Sequence, residues 1–217
     1  MEKTKMMQRI REIGLVPVLR ATSAKEAMTI ADAIIAGGVT VLEITMTVPG
    51  AIQVIEQLVQ HHGDKLLVGA GTVLDAETAR GCLLAGAQFV VSPALDVRTI
   101  ELCRRYGVPV MPGALTPTEI VTAWQAGADV VKVFPCSALG GAKYLKALQG
   151  PLPQIQLIPT GGVSLSTAEE FLAAGAFALG VGSDLVDAKA AAEGRTDVIT
   201  ENARKYIGIV QKFRGVK

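Results

Sequence analysis

The chain has 217 residues, of which 50% are hydrophobic and 19% charged, and its formal net charge is +1. A chain of this length can bury most of its apolar surface in one unit, so we predict a single domain over residues 1–217. The near-zero charge indicates no polyanion-binding surface, and we expect no nucleic acid partner.

The three cysteines, Cys82, Cys103 and Cys136, do not have metal-ligand spacing. Their odd number argues against a disulfide framework and is typical of a reducing compartment. Residues 1–14 mix charged and apolar side chains at helical spacing, unlike a signal peptide. Because no segment reaches the roughly 18 apolar residues of a membrane span, we expect a cytoplasmic protein with no membrane partner.

Short apolar runs alternate with longer amphipathic ones along the chain, and each predicted strand is followed by a predicted helix. The first helix after a strand should begin at Ser23, with Glu26 completing a capping box. Asp75 is a second predicted N-cap, and Thr116-Pro117-Thr118-Glu119 should open another helix. A last amphipathic helix is predicted at 197–213. The predicted strands are 15–20, 39–45, 66–70, 88–92, 108–111, 129–135, 155–159 and 177–182.

An internal repeat supports one closed architecture. Four short Ala-Gly segments each end a helix and lead into a strand, at Gly37, Gly86, Gly127 and Gly175, about two βα units apart. Eight such units with almost continuous apolar strands predict an α/β fold, a (β/α)8 TIM barrel with an N-terminal and a C-terminal helix. A doubly wound open sheet is the alternative, but no G-x-G-x-x-G follows the first strand.

Two ionisable residues fall on apolar strand faces. Lys132 interrupts the β-branched run Val130 to Val133, and alternation along the second strand puts Glu43 on the same face as Val41. A buried ammonium is unfavourable unless it is paired or chemically used. A lysine extending out of the strand end, or an ion pair across the barrel mouth, is the structural alternative. We favour a catalytic amine with a carboxylate partner.

Two glycine-rich segments end the last two strands, Thr160-Gly161-Gly162 and Gly182-Ser183. Glycine lets backbone N–H groups approach an anion closely, and a following helix N-terminus would add its positive dipole end. Loops after strands seven and eight are the usual phosphate site of a (β/α)8 barrel. Glycines that only turn the chain tightly explain one such loop better than two, so we predict a phosphate site.

Seven short motifs follow one another along nearly the whole chain. They are Glu43-Ile-Thr-Met-Thr, Gly69-Ala-Gly-Thr72, Phe89-Val-Val-Ser92-Pro93, Val110-Met-Pro-Gly113, Val131-Lys132-Val-Phe134-Pro135, Pro159-Thr160-Gly161-Gly162 and Gly182-Ser183. In these motifs and in their order, the sequence resembles the 2-keto-3-deoxy-6-phosphogluconate (KDPG) and 4-hydroxy-2-oxoglutarate (KHG) aldolase family.

The resemblance implies a class I aldolase that needs no cofactor and no metal, acts on a small keto-acid and commonly forms a homotrimer. It assigns Lys132 as the Schiff-base amine and Glu43 as the proton shuttle. Thr72 and Thr160 would bind substrate carboxylate and hydroxyl groups, and Pro93 and Phe134 would wall the pocket. The phosphate would be held by Gly161, Gly162, Gly182 and Ser183.

One departure concerns the substrate carboxylate. Some family members carry an arginine about four residues after the glutamate, where this chain has Thr45-Met46-Thr47-Val48. We expect Arg20, at the end of the first strand, to bind the pyruvyl carboxylate instead, since its guanidinium matches a carboxylate. A surface arginine at a strand end is the alternative.

Other functional classes remain open. A metal-dependent barrel would need converging histidine or acidic ligands, and the only histidines, His61 and His62, are expected to be solvated at a helix end. A phosphosugar isomerase or a non-catalytic phosphosugar sensor would use the same glycine loops but would not need Lys132. Cys136 lies near the predicted mouth, and we interpret it as a small loop residue.

Overall fold

Helices and strands alternate throughout the computed structural model, which describes residues 1–215. The last two residues of the predicted domain 1–217 lie outside the described residues. The strands are β1 (Leu15–Leu19), β2 (Val41–Thr45), β3 (Leu67–Gly71), β4 (Val90–Val91), β5 (Val110–Met111), β6 (Gly113–Ala114), β7 (Val131–Val133), β8 (Leu157–Pro159) and β9 (Leu179–Val181).

The helices pack against the outer faces of the sheets, and the first of them covers the amino ends of the strands. They are α1 (Lys3–Ile13), α2 (Ala24–Ala36), α3 (Ala51–His62), α4 (Ala76–Leu84), α5 (Val97–Arg105), α6 (Pro117–Ala126), α7 (Ala142–Gln149), α8 (Ala168–Ala173), α9 (Ala188–Ala192) and α10 (Thr196–Arg214). Two short 3₁₀ segments lie at Gly63–Lys65 and Cys136–Leu139. The sequence does not predict α9, which consists of five residues.

All strand pairs in the described residues are parallel, in two sheets. Six strands follow the order β5-β4-β3-β2-β1-β9, and three follow the order β6-β7-β8. The prediction of one eight-stranded sheet is therefore confirmed only in part, as an α/β fold with a curled parallel sheet. All eight predicted strand positions carry a strand, but most of these strands are shorter than predicted.

The fifth predicted strand, 108–111, contains β5, and the sequence does not predict the short strand β6, which follows Pro112 and belongs to the other sheet. Proline has no N–H to donate to a ladder, so β5 ends before it and β6 begins after it. β5 pairs with β4, whereas β6 pairs with β7. On the opposite side, an isolated parallel bridge joins Thr160 to Gly180. The two sheets are thus connected at both margins.

An apolar cluster fills the space between the two sheets at the amino ends of the strands. It combines two residues of α1 with side chains contributed by both sheets and their flanking residues: Met6, Ile10, Val16, Val41, Leu67, Phe89, Val91, Met111, Val130, Ile158, Phe177 and Ala178. A larger cluster lies between the strands and the surrounding helices. Val39, which lies in the second predicted strand, belongs to this outer cluster, because β2 begins only at Val41.

α1 is fastened across this end of the sheet by charged side chains. Arg9 donates to the carbonyls of Asp64, at 2.6 Å, and of Lys65. Arg214, at the end of α10, donates to the carbonyls of Arg11 and Phe177. The helix therefore stays over the amino ends of the strands, and the carboxyl ends remain as the accessible side of the interior.

Helix starts follow the predicted capping residues with one exception. Thr116 and Glu119 form the complete reciprocal capping box of α6. The Ser23 hydroxyl accepts from the backbone N–H of Glu26, but the Glu26 carboxylate accepts from Thr22 and not from Ser23. The predicted capping box of α2 is therefore only half formed.

Within residues 1–215, no helix is long and apolar enough to cross a bilayer.

The close packing of the interior predicts the effect of one substitution. A Cβ at Gly69, in β3, would overlap the Phe89 ring. Gly69→Ala should therefore lower the free energy of unfolding by about 1–3 kcal/mol, measured by urea denaturation. Gly208→Ala is the matched control, because no atom lies within 4 Å of its Cβ position, and it should raise stability by up to about 1 kcal/mol. Wild-type stability of Gly69→Ala would contradict this packing.

Candidate active site

Lys132 and Glu43 meet inside the protein, although their strands, β7 and β2, belong to different sheets. Their side chains are 6% and 2% exposed, and Lys132 Nζ lies 4.0 Å from Glu43 Oε1. Each follows a residue of the interior apolar cluster by two positions, Val130 and Val41, so both point into the same interior nearer the carboxyl ends. The predicted pair is thus formed at the predicted end of the strands.

The environment of Glu43 favours its protonated form. Its Oε1 is buried and has no hydrogen-bond partner among the described residues. Loss of solvation raises the pKa of Glu43, and the charges of Lys132 and Arg20 oppose this rise without cancelling it. A carboxyl whose pKa is raised toward neutrality is well suited to take and return protons.

Two glycines make room at the site, one for the Glu43 side chain and one for the backbone of Pro93. Glu43 lies over Gly71 of the adjacent strand β3, so closely that a Cβ at Gly71 would overlap the carboxyl group. Lys132 pairs in register with Gly113, and a Cβ at Gly113 would overlap the backbone of Pro93. Pro93 therefore lies one strand away from Lys132. On the other side, Lys132 Nζ is 5.4 Å from the centroid of the Phe134 ring.

Thr72 follows Gly71 in a strained conformation. Its φ of 56° is the only positive value of a non-glycine residue in the described chain. A β-branched residue in this region carries a strain of about 1–3 kcal/mol, and such strain clusters at functional sites. Neither its backbone N–H nor its hydroxyl donates a hydrogen bond to a described residue. Both donors are therefore free beside the carboxylate of Glu43.

Seven of the predicted substrate-binding residues line one small cavity of about 100 Å³. They are Arg20, Phe134, Thr160, Gly161, Gly162, Gly182 and Ser183. The backbone N–H groups of Gly161, Gly162 and Ser183 donate to no acceptor within residues 1–215, and the Arg20 side chain has no ion-pair partner there. This combination of free amides and a guanidinium is suited to an anion.

The expected contribution of helix dipoles to this anion site is not found. α8 has six residues, and α9 begins at Ala188, several residues after Ser183. Both helices are too short to carry a substantial dipole, and neither begins at the glycines. Any anion would therefore be held by loop amides and Arg20. Gly161 and Gly162 both have positive φ, of 88° and 79°, which explains why glycine occupies these two positions.

A wider cleft of about 980 Å³ continues outward from this cavity. The two share Val18, Arg20, Gly182 and Ser183, and the cleft extends along the start of α2 to residues Ala191 and Gly194. Glu43, Lys132, Thr72 and Pro93 line neither space. The structure thus places the buried pair behind the Phe134 ring, next to the cavity rather than on its wall.

The sequence prediction missed two residues of the site. Gly71 provides the space for Glu43, and Asp184 lines the small cavity directly after Ser183. Asp184 could have been noticed as an acid adjoining a predicted phosphate loop. The role of Gly71 could not have been found, because it depends on the register between β2 and β3, in which Thr45 pairs with Gly71.

None of the described histidines or cysteines lines the small cavity, although the backbone N–H of Cys136 donates to the carbonyl of Thr160. No group of three or more His, Cys, Asp or Glu suited to a metal ion occurs in the described part of the chain. His62 is less solvated than expected, because its Nε2 is buried without a described partner. Cys136 is buried, and burial raises the pKa of its thiol to about 11, so it is a poor nucleophile.

The chain is similar to proteins of one family over nearly its whole length. Residues 6–202 match the family model described as "KDPG and KHG aldolase". The 2-dehydro-3-deoxy-phosphogluconate aldolase of Treponema pallidum (strain Nichols) is 35% identical over 94% of this chain and 97% of its own length. The 2-dehydro-3-deoxy-6-phosphogalactonate aldolase of Escherichia coli (strain K12) is 35% identical over 94% of this chain and its full length.

A solved structure is similar to the fold as a whole. It is the KDPG aldolase of Legionella pneumophila with pyruvate captured at low pH as a covalent carbinolamine intermediate. The match covers 92% of this chain and 96% of the Legionella chain, with a TM-score of 0.85 and 31% sequence identity. On the family match and these relatives, the chain belongs to the KDPG and KHG aldolase family and is a carbon–carbon lyase.

Proposed function

We propose that this protein is a class I aldolase that cleaves 2-dehydro-3-deoxy-6-phosphogluconate to pyruvate and D-glyceraldehyde 3-phosphate. We propose that it also cleaves 4-hydroxy-2-oxoglutarate to pyruvate and glyoxylate. The observation that carries the proposal is the buried Lys132–Glu43 pair, with Nζ 4.0 Å from Oε1, beside an anion-binding cavity. The family and its named aldolases support the same reaction class.

The first step forms an imine at Lys132. The neutral amine attacks the C2 ketone of the substrate to give a carbinolamine, and loss of water gives the protonated imine. Glu43 is the only carboxylate within 4.0 Å of Nζ among the described residues, so it is the natural donor of the proton that leaves with the hydroxyl. The Phe134 ring beside Nζ limits access of water to the imine.

The second step breaks the C3–C4 bond. The carboxylate of Glu43 takes the proton of the C4 hydroxyl, the bond electrons move to the protonated imine, and an aldehyde leaves. Glu43 then returns a proton to C3 of the enamine, and water releases pyruvate from Lys132. One group with a raised pKa can serve both directions of proton transfer, which is what the burial of Glu43 provides.

The two anionic ends of the substrate fit different parts of the site. Thr72 offers a free N–H and hydroxyl beside Glu43, so we propose that it binds the carboxylate, with Thr160 and Pro93 completing the pocket. Arg20 lines the cavity of Gly161, Gly162 and Ser183, so we assign it to the phosphate and not to the carboxylate expected from the sequence. Gly182 lies beside it, with a Cβ position 3.8 Å from Arg20 Nη1.

The imine can be trapped directly. Reduction with borohydride in the presence of pyruvate should add the mass of a reduced pyruvyl group to Lys132, located by peptide mass spectrometry. Lys132→Met should abolish both labelling and turnover. Lys146→Met, at an exposed position of α7, is the control and should be labelled like the wild type. Labelling of another lysine, or no labelling, would contradict the proposal; a phosphosugar isomerase or sensor would stay unlabelled.

The raised pKa of Glu43 predicts the pH dependence of the reaction. Because the carboxylate form is the base once the imine has formed, kcat should fall as the pH drops through a pKa above the usual carboxyl value of about 4.3. Glu43→Gln should remove this acid limb and lower kcat by about 10²- to 10⁴-fold, while pyruvate can still be trapped on Lys132. Glu101→Gln, on the exposed surface of α5, should change neither. If the pH profile of Glu43→Gln kept this acid limb, a residue other than Glu43 would be the base.

The assignment of Arg20 predicts a difference between substrates. Arg20→Ala should raise KM for the phosphorylated keto-acid by about tenfold or more, the loss expected for a charged hydrogen bond. The KM for 4-hydroxy-2-oxoglutarate should change by less than about twofold, since that substrate has no phosphate. Coupled assays with both substrates measure the two constants. An equal rise in KM for both substrates would contradict this assignment and would indicate that Arg20 binds the substrate carboxylate.

We further infer that the two sheets act as one closed (β/α)8 barrel within a single domain. The shared interior cluster, the Thr160–Gly180 bridge and the meeting of Lys132 with Glu43 support closure. Two separate calorimetric transitions on unfolding would contradict the single domain, and a crystal structure with the interior open between β8 and β9 would contradict closure.

The proposed assembly is a homotrimer in the cytoplasm, as the family resemblance implies. Exposed apolar side chains such as Ile52, Leu74 and Leu84 offer surface for contacts between copies. Light scattering distinguishes a trimer from a monomer.

A further inference from the structure

The carboxylate of Asp184 connects three separate parts of the chain. Its Oδ2 accepts one hydrogen bond from the backbone N–H of Leu165, at 3.1 Å, and another from the Tyr206 hydroxyl, at 2.5 Å. Leu165 belongs to the loop after β8, Asp184 to the loop after β9, and Tyr206 to α10. One oxygen atom thus joins both glycine loops to the last helix.

The Tyr206 side of this connection is rigid. Tyr206 is fully buried, and burial together with the Asp184 carboxylate raises the pKa of its hydroxyl, so the hydroxyl keeps its proton and remains a donor. One turn earlier in α10, Asn202 Nδ2 lies 3.5 Å from the carbonyl oxygens of Asp184 and Leu185. The loop after β9 is therefore attached to α10 through both a side chain and its backbone.

The free N–H groups of the cavity are divided between the two connected loops. Gly161 and Gly162 lie on one loop and Ser183 on the other. At their base the loops are joined by the bridge between Thr160 and Gly180. Beyond the glycines, the Leu165–Asp184 hydrogen bond joins them again. The two sets of amides therefore lie between two connections, the bridge at the base of the loops and the hydrogen bond to Asp184.

A carboxylate beside an anion site requires an explanation, because its charge repels the ligand. Asp184 lines the same small cavity as Arg20, and its Oδ2 is occupied by two donors. Hydrogen bonds to a charged acceptor are stronger than those between neutral groups, so an acid holds the loops more firmly than a neutral side chain would. Its position is thus explained by the loops that it holds.

We propose that Asp184 and Tyr206 are positioning residues that hold the two glycine loops at the separation that binds a phosphate group. This inference rests on the proposed function, because it concerns the phosphorylated end of that substrate. According to this proposal, the affinity for phosphate depends partly on Tyr206 in α10, a residue that does not line the cavity.

The test compares Tyr206→Phe and Asp184→Ala with Asp184→Asn, which keeps an oxygen that can accept from Leu165 and Tyr206. The first two variants should raise KM for the phosphorylated keto-acid by about tenfold, with kcat changed by less than about twofold. The KM of Tyr206→Phe for 4-hydroxy-2-oxoglutarate should stay within about twofold of the wild type. Asp184→Asn should restore most of the affinity for the phosphorylated substrate.

Thr200→Val is the matched control. It removes another hydroxyl hydrogen bond of α10, from Thr200 to the Ala33 carbonyl at 2.9 Å, without touching either loop. A merely structural role of α10 would raise KM equally for both substrates, or equally in Thr200→Val, and either result would overturn the inference. So would an unchanged KM in Tyr206→Phe, which keeps the size of the buried side chain.

Binding of inorganic phosphate, measured by calorimetry, tests the same inference without turnover. Tyr206→Phe should weaken phosphate binding by about tenfold relative to the wild type and to Thr200→Val. If the wild type cleaves neither keto-acid, the proposed function fails, and phosphate binding still decides the role of Asp184 and Tyr206. Equal phosphate affinities in the wild type and Tyr206→Phe would overturn the role even if both keto-acids are cleaved.

Discussion

The candidate site depends on one amine, Lys132, and one carboxyl group, Glu43, that lie close together and are almost completely buried. Lys132 and Glu43 are both almost fully buried, on strands of different sheets, at a separation too long for a good hydrogen bond. Such a pair stabilises a fold weakly, because desolvation offsets most of the attraction between the charges. Gly71 leaves space for the Glu43 carboxyl group, and the apolar cluster that contains Phe89 packs between the two sheets at the amino ends of the strands.

The candidate site joins two environments with different chemistry. The buried pair lies in an apolar interior, where a carboxyl group holds its proton more tightly than in water. The cavity next to it offers loop amides and a guanidinium, which suit a charged group that stays hydrated at its outer edge. The Phe134 ring contacts both, since it borders the cavity and lies 5.4 Å from the lysine nitrogen. A ligand with a reactive ketone at one end and an anion at the other matches this order.

Much of this arrangement could be predicted from local sequence. The positions of the strands follow from apolar runs, and Thr116 with Glu119 marks a helix start because capping is a local interaction. Lys132 and Glu43 could be selected because charges within apolar strands are rare. Strand pairing could not be predicted, because the division at Pro112 depends on which neighbour takes each hydrogen bond. The same applies to Asp184, whose partners Leu165 and Tyr206 are 19 and 22 residues away and become neighbours only through folding.

The helix that seals the amino ends of the strands has a consequence for the order of events in catalysis. Met6 and Ile10 fill that end, Arg9 and Arg214 fix the helix, and the small cavity of the candidate site lies toward the carboxyl ends of the strands. In the proposed reaction the aldehyde fragment lies outermost and pyruvate stays covalently attached deeper inside. In that reaction the aldehyde leaves before water reaches the pyruvyl group on Lys132. The two products are therefore released in a fixed order.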